Sequence, residues 1–87
     1  MDENRQQRLV DVVVPELGLP GWPVRLVSWL VETGRPVLAG DPVAELLVAD
    51  ALVDVPAPVN GRLAERIAAE GETVAAHAVI GRLEADS

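Results

Sequence analysis

Apolar residues occur along the chain in short runs that are separated by Gly and Pro. The runs have the length of single strands and are bounded by residue types that favour turns. They cover residues 9–14, 24–31, 43–48, 52–55, 62–67 and 78–83. Short strands with turn signals at this spacing predict an all-β sandwich or barrel.

One segment, residues 62–70, is compatible with two structures on local pattern alone. It is rich in Ala, and residues fall at helical spacing at Leu63, Arg66, Ile67 and Glu70. A strand is the competing interpretation, because the same residues also alternate between two faces, although Glu65 then shares a face with two apolar residues. The local sequence therefore leaves both helix and strand open.

An internal repeat with an offset of 37 residues favours the strand. Residues 24–46 align with residues 61–83, and the first copy carries a β-branched and aromatic run followed by turn residues. The matched pairs are Arg25–Arg62, Leu26–Leu63, Leu30–Ile67, Gly34–Gly71, Val37–Val74, Ala39–Ala76, Val43–Ile80 and Leu46–Leu83. The repeat predicts a flattened β-barrel or sandwich of two pseudo-twofold related, four-stranded halves, with a hairpin near residues 48–53 at one end.

The chain length predicts one domain, because 87 residues suffice for one compact core. Hydrophobic residues make up 49% of the chain and only two residues are aromatic, so Val, Leu, Ile and Ala must build that core. We predict the domain at residues 9–84, with disordered polar tails at residues 1–8 and 85–87.

Charge and composition exclude several kinds of partner and chemistry. Fourteen acidic residues against seven arginines give a net charge of −7, which repels nucleic acid and anionic membrane surfaces alike. The absence of cysteine excludes a disulfide, a thiolate catalyst and a Cys-ligated metal. No apolar signal-peptide core and no membrane-spanning run is present, so a soluble, cytoplasmic protein is predicted.

Five motifs resemble those of the lipoyl domains of 2-oxo acid dehydrogenase complexes, which belong to the biotinyl/lipoyl carrier family. They lie in register without a gap and are Val14-Pro15-Glu16-Leu17-Gly18, Trp29-Leu30-Val31-Glu32-Thr33-Gly34, Gly40-Asp41-Pro42-Val43-Ala44-Glu45, Val53-Asp54-Val55-Pro56-Ala57-Pro58-Val59-Asn60-Gly61 and Glu70-Gly71-Glu72-Thr73-Val74. The resemblance implies the barrel-sandwich hybrid fold of that family. The first and fourth motifs favour the lipoyl over the biotinyl branch.

The departure from the family pattern falls on the residue that carries the family's lipoate. Where the family has Glu-x-Glu-Thr-Asp-Lys-Ala-x-Val, residues 45–53 place Asp50 at the lysine position and Val48-Ala49 at the Thr-Asp pair. A carboxylate lacks the nucleophilic amine that forms an amide with an activated acyl group, and these 87 residues include no lysine. Neither lipoate nor biotin is therefore expected to be attached.

The sequence predicts a non-catalytic domain with a structural or protein-interaction role. It is not expected to be an enzyme or to bind a small-molecule substrate, because it has neither a paired nucleophile and base nor a phosphate-binding Gly loop. The alternative is a swinging-arm carrier domain of a 2-oxo acid dehydrogenase or biotin-dependent system whose attachment site is lost or altered.

The candidate interaction surface combines a loop with the hairpin tip. The resemblance implies that the loop lies beside the tip and helps partner enzymes to discriminate among domains. The residues are Leu19, Pro20, Trp22 and Pro23 in the loop and Ala49, Asp50 and Ala51 at the tip. Trp22, between two prolines, is suited to a preorganised interface anchor; the competing interpretation is that it packs on Leu17 or Leu19 and fills a gap.

Three further features receive structural interpretations. The repeat matches the only histidine, His77, with Gly40 at a turn where positive φ is expected, so we predict a loop residue. Asp50 and Asp54 lie four residues apart, but two carboxylates alone give poor support for a cation site, and no metal is predicted. Trp29 is expected to be a buried or half-buried strand residue.

Overall fold

The computed structural model describes residues 8–86, which form an all-β fold without helices. The eight strands are β1 Leu9–Val13, β2 Val24–Trp29, β3 Pro36–Val37, β4 Pro42–Val48, β5 Ala51–Pro56, β6 Gly61–Arg66, β7 Thr73–Val74 and β8 Val79–Ala85. They build two four-stranded antiparallel sheets, with the order β1-β8-β6-β3 in sheet A and β5-β4-β2-β7 in sheet B. The predicted fold class is confirmed.

The repeat is visible in the strand bounds. β6, β7 and β8 begin and end 37 residues after β2, β3 and β4, respectively. Bulges interrupt the pairing at equivalent places, between Leu26 and Ser28 in β2 and between Leu63 and Glu65 in β6. The short middle strand of each half belongs to the sheet of the other half, since β3 pairs with β6 and β7 pairs with β2.

Equivalent backbone hydrogen bonds tie the two halves together. The Gly34 N–H donates to the Leu63 carbonyl, and the Gly71 N–H donates to the Leu26 carbonyl, both at 2.7 Å. These bonds hold the segment after each long strand against the other sheet. The pairing of β6 with β3 and β8 also shows why residues 61–66 form a strand: tertiary pairing decides a pattern that local spacing leaves open.

The core lies between the sheets and consists of small aliphatic side chains. The inward residues of the long strands alternate with exposed ones, as a period of two requires. The largest fully buried side chains are Leu26, Leu46, Leu63, Ile80, Leu83, Val12, Val14, Val43 and Val55. Trp29 is buried as predicted, and its indole N–H donates to the Ala68 carbonyl at 2.9 Å.

Each of the six predicted strands differs from the observed one by one or two residues at one or both ends. β2 ends at Trp29, two residues before the predicted end of the strand. β3 and β7 are two residues long, which is too short to give a periodic signal. The domain continues past residue 84, because the Ala85 N–H donates to the Arg8 carbonyl and the Asp86 N–H to the Asn60 carbonyl. Residues 1–7, within the predicted N-terminal tail, and Ser87 lie outside the described residues.

Gly61 marks a close contact between β6 and β8. A Cβ at this position would fall on the Glu84 carbonyl oxygen, 2.9 Å from its carbon and 3.0 Å from the Ala85 Cα. We expect Gly61→Ala to lower the free energy of unfolding by about 3 kcal/mol, because backbone atoms of two paired strands must separate. Urea unfolding followed by circular dichroism measures this change.

Gly34→Ala is the control for Gly61→Ala. Gly34 has a φ of +89° with open space around its Cβ position, so only backbone strain of about 1–2 kcal/mol is expected. A Gly61→Ala variant that is no less stable than Gly34→Ala would contradict the close contact.

Candidate functional site

The hairpin tip between β4 and β5 is a two-residue turn. Val48 pairs with Ala51, and the two central residues have positive φ, 49° at Ala49 and 66° at Asp50. Positive φ at both central positions is the mark of a type I′ turn, which matches the twist of the flanking strands. Asp tolerates this left-handed region better than most residues do. Both central residues are exposed, so the side chain of Asp50 is presented to solvent.

The loop between β1 and β2 contains a second tight turn. The Trp22 N–H donates to the Leu19 carbonyl at 3.1 Å, and Gly21 has a φ of +84°. Pro20 followed by a residue with positive φ is the signature of a type II turn. Two prolines and this turn restrict the backbone around Trp22.

Two grooves border the loop, and the second also reaches the tip. The first, of about 430 Å³, is lined by loop residues including Leu19, Pro20, Trp22 and Pro23, and by Val48 and β7. The second, of about 410 Å³, is lined by Trp22, Pro23, Arg25, Leu47, Ala49, Asp50 and Thr73. The second groove thus brings Trp22 and Pro23 of the loop together with Ala49 and Asp50 of the tip, whereas Leu19 and Pro20 line the first groove only and Ala51 lines neither.

The side chain of Trp22 is 55% exposed. It shares the first groove with Leu17 and Leu19 while more than half of it remains open to solvent, so the anchor and the packing on these leucines both stay predictions. An exposed tryptophan on a stiff loop loses little conformational entropy when a partner covers it.

A contact that the sequence did not reveal joins the loop to the turn before β8. The His77 Nε2 atom lies 3.1 Å from the Glu16 Oε1 atom, and both side chains are exposed. His77 has a φ of 68°, and Gly40, its equivalent in the repeat, has a φ of 92°, so the expected positive φ is observed. The repeat identified the backbone of His77 but not its partner, because Glu16 precedes the repeated residues.

The surroundings of Trp29 were also not predicted. The Arg66 guanidinium lies 5.7 Å from the centroid of the indole and donates to the Val31 carbonyl. The Glu70 Oε2 atom accepts a hydrogen bond from the Trp29 N–H at 2.8 Å. Because Arg66 and Glu70 both bond to backbone atoms of the segment around Trp29, we assign this set to stability rather than to binding.

Asp50 and Asp54 do not form a joint site. Asp50 is in the turn, whereas Asp54 lies in β5 opposite Glu45 of β4. Within residues 8–86, no group of three or more His, Asp or Glu residues is placed to hold a metal ion. In the same part of the chain, no helix is long and apolar enough to cross a membrane.

Comparison with known proteins places these features in context. The sequence pattern of the biotin/lipoyl family, described as "Biotin-requiring enzyme", matches residues 10–83. The dihydrolipoyllysine-residue succinyltransferase component of the 2-oxoglutarate dehydrogenase complex of Bartonella vinsonii subsp. berkhoffii is 37% identical over 75 residues, or 86% of this chain. The dihydrolipoyllysine-residue acetyltransferase component of the pyruvate dehydrogenase complex of Corynebacterium glutamicum is 34% identical over 73 residues, or 84% of this chain.

The similarity covers only part of each relative. The matched region spans 18% of the length of the succinyltransferase component and 11% of the acetyltransferase component. The chain therefore spans less than a fifth of the length of either relative, and the comparison concerns that part alone.

Proposed function

Since this chain belongs to the biotin/lipoyl domain family, we propose that it keeps the carrier fold without the carrier chemistry and acts as a protein-interaction or structural module. We further propose that Asp50 stands where the family carries its modified lysine. The observation that carries the proposal is that the exposed hairpin tip presents a carboxylate, and that none of the 87 residues is a lysine.

The chemistry of attachment supports this proposal. An amide to lipoate or biotin requires a primary amine as nucleophile, and lysine is the side chain that supplies it. Asp50 offers only carboxylate oxygens. We therefore expect no covalently attached cofactor at the tip. The surface around the tip is then available for contacts with a protein partner.

The interaction surface that we propose consists of the loop residues 19–23 and the tip residues 49–51. Its apolar part is the exposed Trp22 with its flanking prolines, and its polar parts are Arg25 and Asp50 in the second groove. Tryptophan on a preorganised backbone is the residue type that most often dominates binding energy at interfaces. A protein partner therefore fits this surface, whereas the net charge of −7 disfavours nucleic acid and membrane.

The alternative function is a carrier domain of a 2-oxo acid dehydrogenase or biotin-dependent system whose attachment site is lost or altered. Two observations favour it over an unrelated role. The tip retains a regular type I′ hairpin, and both relatives described above are components of 2-oxo acid dehydrogenase complexes. In this case the domain would still dock onto enzymes of such a complex, but without delivering an acyl group.

We expect Trp22→Ala to weaken capture of a protein partner by roughly tenfold or more, as truncation of an aromatic interface anchor does. The immobilised domain is incubated with extract of the source cells, and bound proteins are quantified by mass spectrometry for the wild type and the variant.

The matched control is Leu38→Ala, which truncates another exposed apolar side chain, outside both grooves. Partners that are lost with Trp22→Ala and retained with Leu38→Ala support the loop as the interaction surface. Equal capture by all three proteins would refute it, provided that circular dichroism shows each to be folded.

A further inference from the structure

The outer faces of the two sheets differ, although their strands are equivalent. On sheet A, Arg82 of β8 lies between Asp11 of β1 and Glu65 of β6. Its Nε atom donates to Asp11 and its Nη1 atom donates to Glu65, each at 3.1 Å. The hydrogen bonds to Glu65 and Asp11 raise the pKa of Arg82 above its usual range. This row of three side chains contains one cation between two carboxylates.

The equivalent row on sheet B contains no cation. The repeat places Glu45 where sheet A has Arg82, and its cross-strand neighbours are Asp54 on β5 and Ser28 on β2. Glu45 is half-buried and Asp54 is exposed. Neither carboxylate makes an ion pair within the described chain. Like charges directly opposite each other on a sheet are unfavourable.

The next row on sheet B pairs two leucines across β4 and β5, with Arg25 of β2 on the other side of Leu47. Leu47 of β4 lies directly opposite Leu52 of β5, and their side chains are 37% and 60% exposed. On sheet A the equivalent pair is Glu84 opposite Leu9, so the apolar pair is particular to sheet B. Glu45 and Leu47 share a face because they are two residues apart on one strand.

We propose that the sheet B face, defined as Glu45, Leu47, Leu52 and Asp54, docks an extended basic segment of a protein partner. The inference rests on the proposed function as a protein-interaction module and specifies the chemistry of the partner. The segment places an arginine over Glu45 and Asp54 and an apolar side chain over the leucine pair. The sequence of the partner segment therefore has a basic residue, then any residue, then an apolar residue.

The spacing of the two rows supports an extended occupant. Residues i and i+2 of a strand lie about 7 Å apart on the same face, which holds for the partner segment as well as for β4. Sheet A provides an internal example of the polar contact, because Arg82 bridges two carboxylates of neighbouring strands. Arg25 lies on the other side of Leu47 and disfavours a second basic residue there.

The test uses the peptide acetyl-Ala-Arg-Ala-Leu-Ala-amide as probe for the partner segment. The uniformly ¹⁵N-labelled domain is titrated at low ionic strength, and amide shifts are followed by NMR. We expect saturable shifts confined to β4, β5 and the neighbouring part of β2. The double variant Glu45→Gln/Asp54→Asn should bind the peptide roughly tenfold more weakly, because it loses charge-assisted hydrogen bonds.

Two controls separate this site from general attraction to an acidic protein. Glu32→Gln/Asp86→Asn changes the net charge by the same amount outside the strands and should leave the affinity unchanged. The peptide with Glu in place of Arg should not bind. Any of three results would overturn the inference. The first is a set of amide shifts spread over the whole surface, and the second is the same loss of peptide affinity in both double variants. The third is a concentration-dependent shift without peptide, which would reveal self-association.

Failure of this inference can be distinguished from failure of the proposed function. A domain whose partners are lost with Trp22→Ala but which shows no localised response to the peptide keeps its interaction role and refutes only the sheet B face. A localised response together with partner capture that is insensitive to Trp22→Ala supports the face and refutes the loop surface.

Discussion

The Asp50→Lys domain is expected to be modified by lipoate ligase, whereas we propose that the wild-type domain is not. The type I′ turn already presents position 50 to solvent at the end of a regular hairpin. A lysine in the left-handed region costs about 1 kcal/mol, which is small beside the roughly 5–15 kcal/mol that stabilises ordinary domains. The intact mass of the domain after co-expression with the ligase and lipoate gives the result directly.

Two comparisons make the Asp50→Lys result specific. Asp50→Arg supplies the same change of charge without a primary amine and should remain unmodified. Asp41→Lys supplies an amine at another turn and tests whether position matters. Addition of lipoate to the wild-type domain would refute the argument from the missing amine. A folded but unmodified Asp50→Lys domain would show that more than the amine has been lost, with Val48-Ala49 as the first residues to restore.

Trp29→Ala is expected to lower the free energy of unfolding by about 3–5 kcal/mol, as large-to-small changes at buried tryptophans do. The indole is only 7% exposed, lies against Gly81 and bonds the Ala68 carbonyl. Its removal leaves a cavity between the halves and an Arg66 guanidinium without its aromatic partner. Urea unfolding followed by far-ultraviolet circular dichroism measures the loss.

Trp22→Ala is the matched comparison for Trp29→Ala, because it removes the same side chain from an exposed loop. We expect a change in the free energy of unfolding of about 1 kcal/mol or less. Trp29→Phe should fall between the two alanine variants, because it keeps most of the apolar contact and loses the hydrogen bond. A Trp22→Ala domain as unstable as Trp29→Ala would contradict the placement of Trp22 outside the core.

The sequence predicted the architecture because the repeat carries information that local pattern does not. Residues 62–67 could be helix or strand when considered alone, but their alignment with a β-branched run at residues 24–31 indicated a strand. The sequence did not predict β3 and β7. Each strand is only two residues long and is stabilised by pairing with the other half of the fold rather than by its own strand propensity.

The site was predictable where it depends on local chain geometry and not where it depends on contacts between distant residues. The tip turn and the stiff loop follow from turn residues and from the family resemblance. The Glu16–His77 contact joins residues 61 positions apart, and Asp11 and Arg82 lie 71 positions apart. The uneven charge of the two sheet faces appears only when these pairings are known.

The exchange of β3 and β7 between the halves has a consequence for how such a domain can change in evolution. Neither repeat completes a sheet by itself, so the two are inherited as one interlocked unit, comparable to a swapped dimer fused into a single chain. A protein that no longer carries a prosthetic group can change the residues of the tip one at a time. It cannot lose one of the two repeats, because each sheet contains strands from both. If the attachment chemistry is lost as we propose, a whole carrier fold remains, and its exposed tip can acquire new contacts.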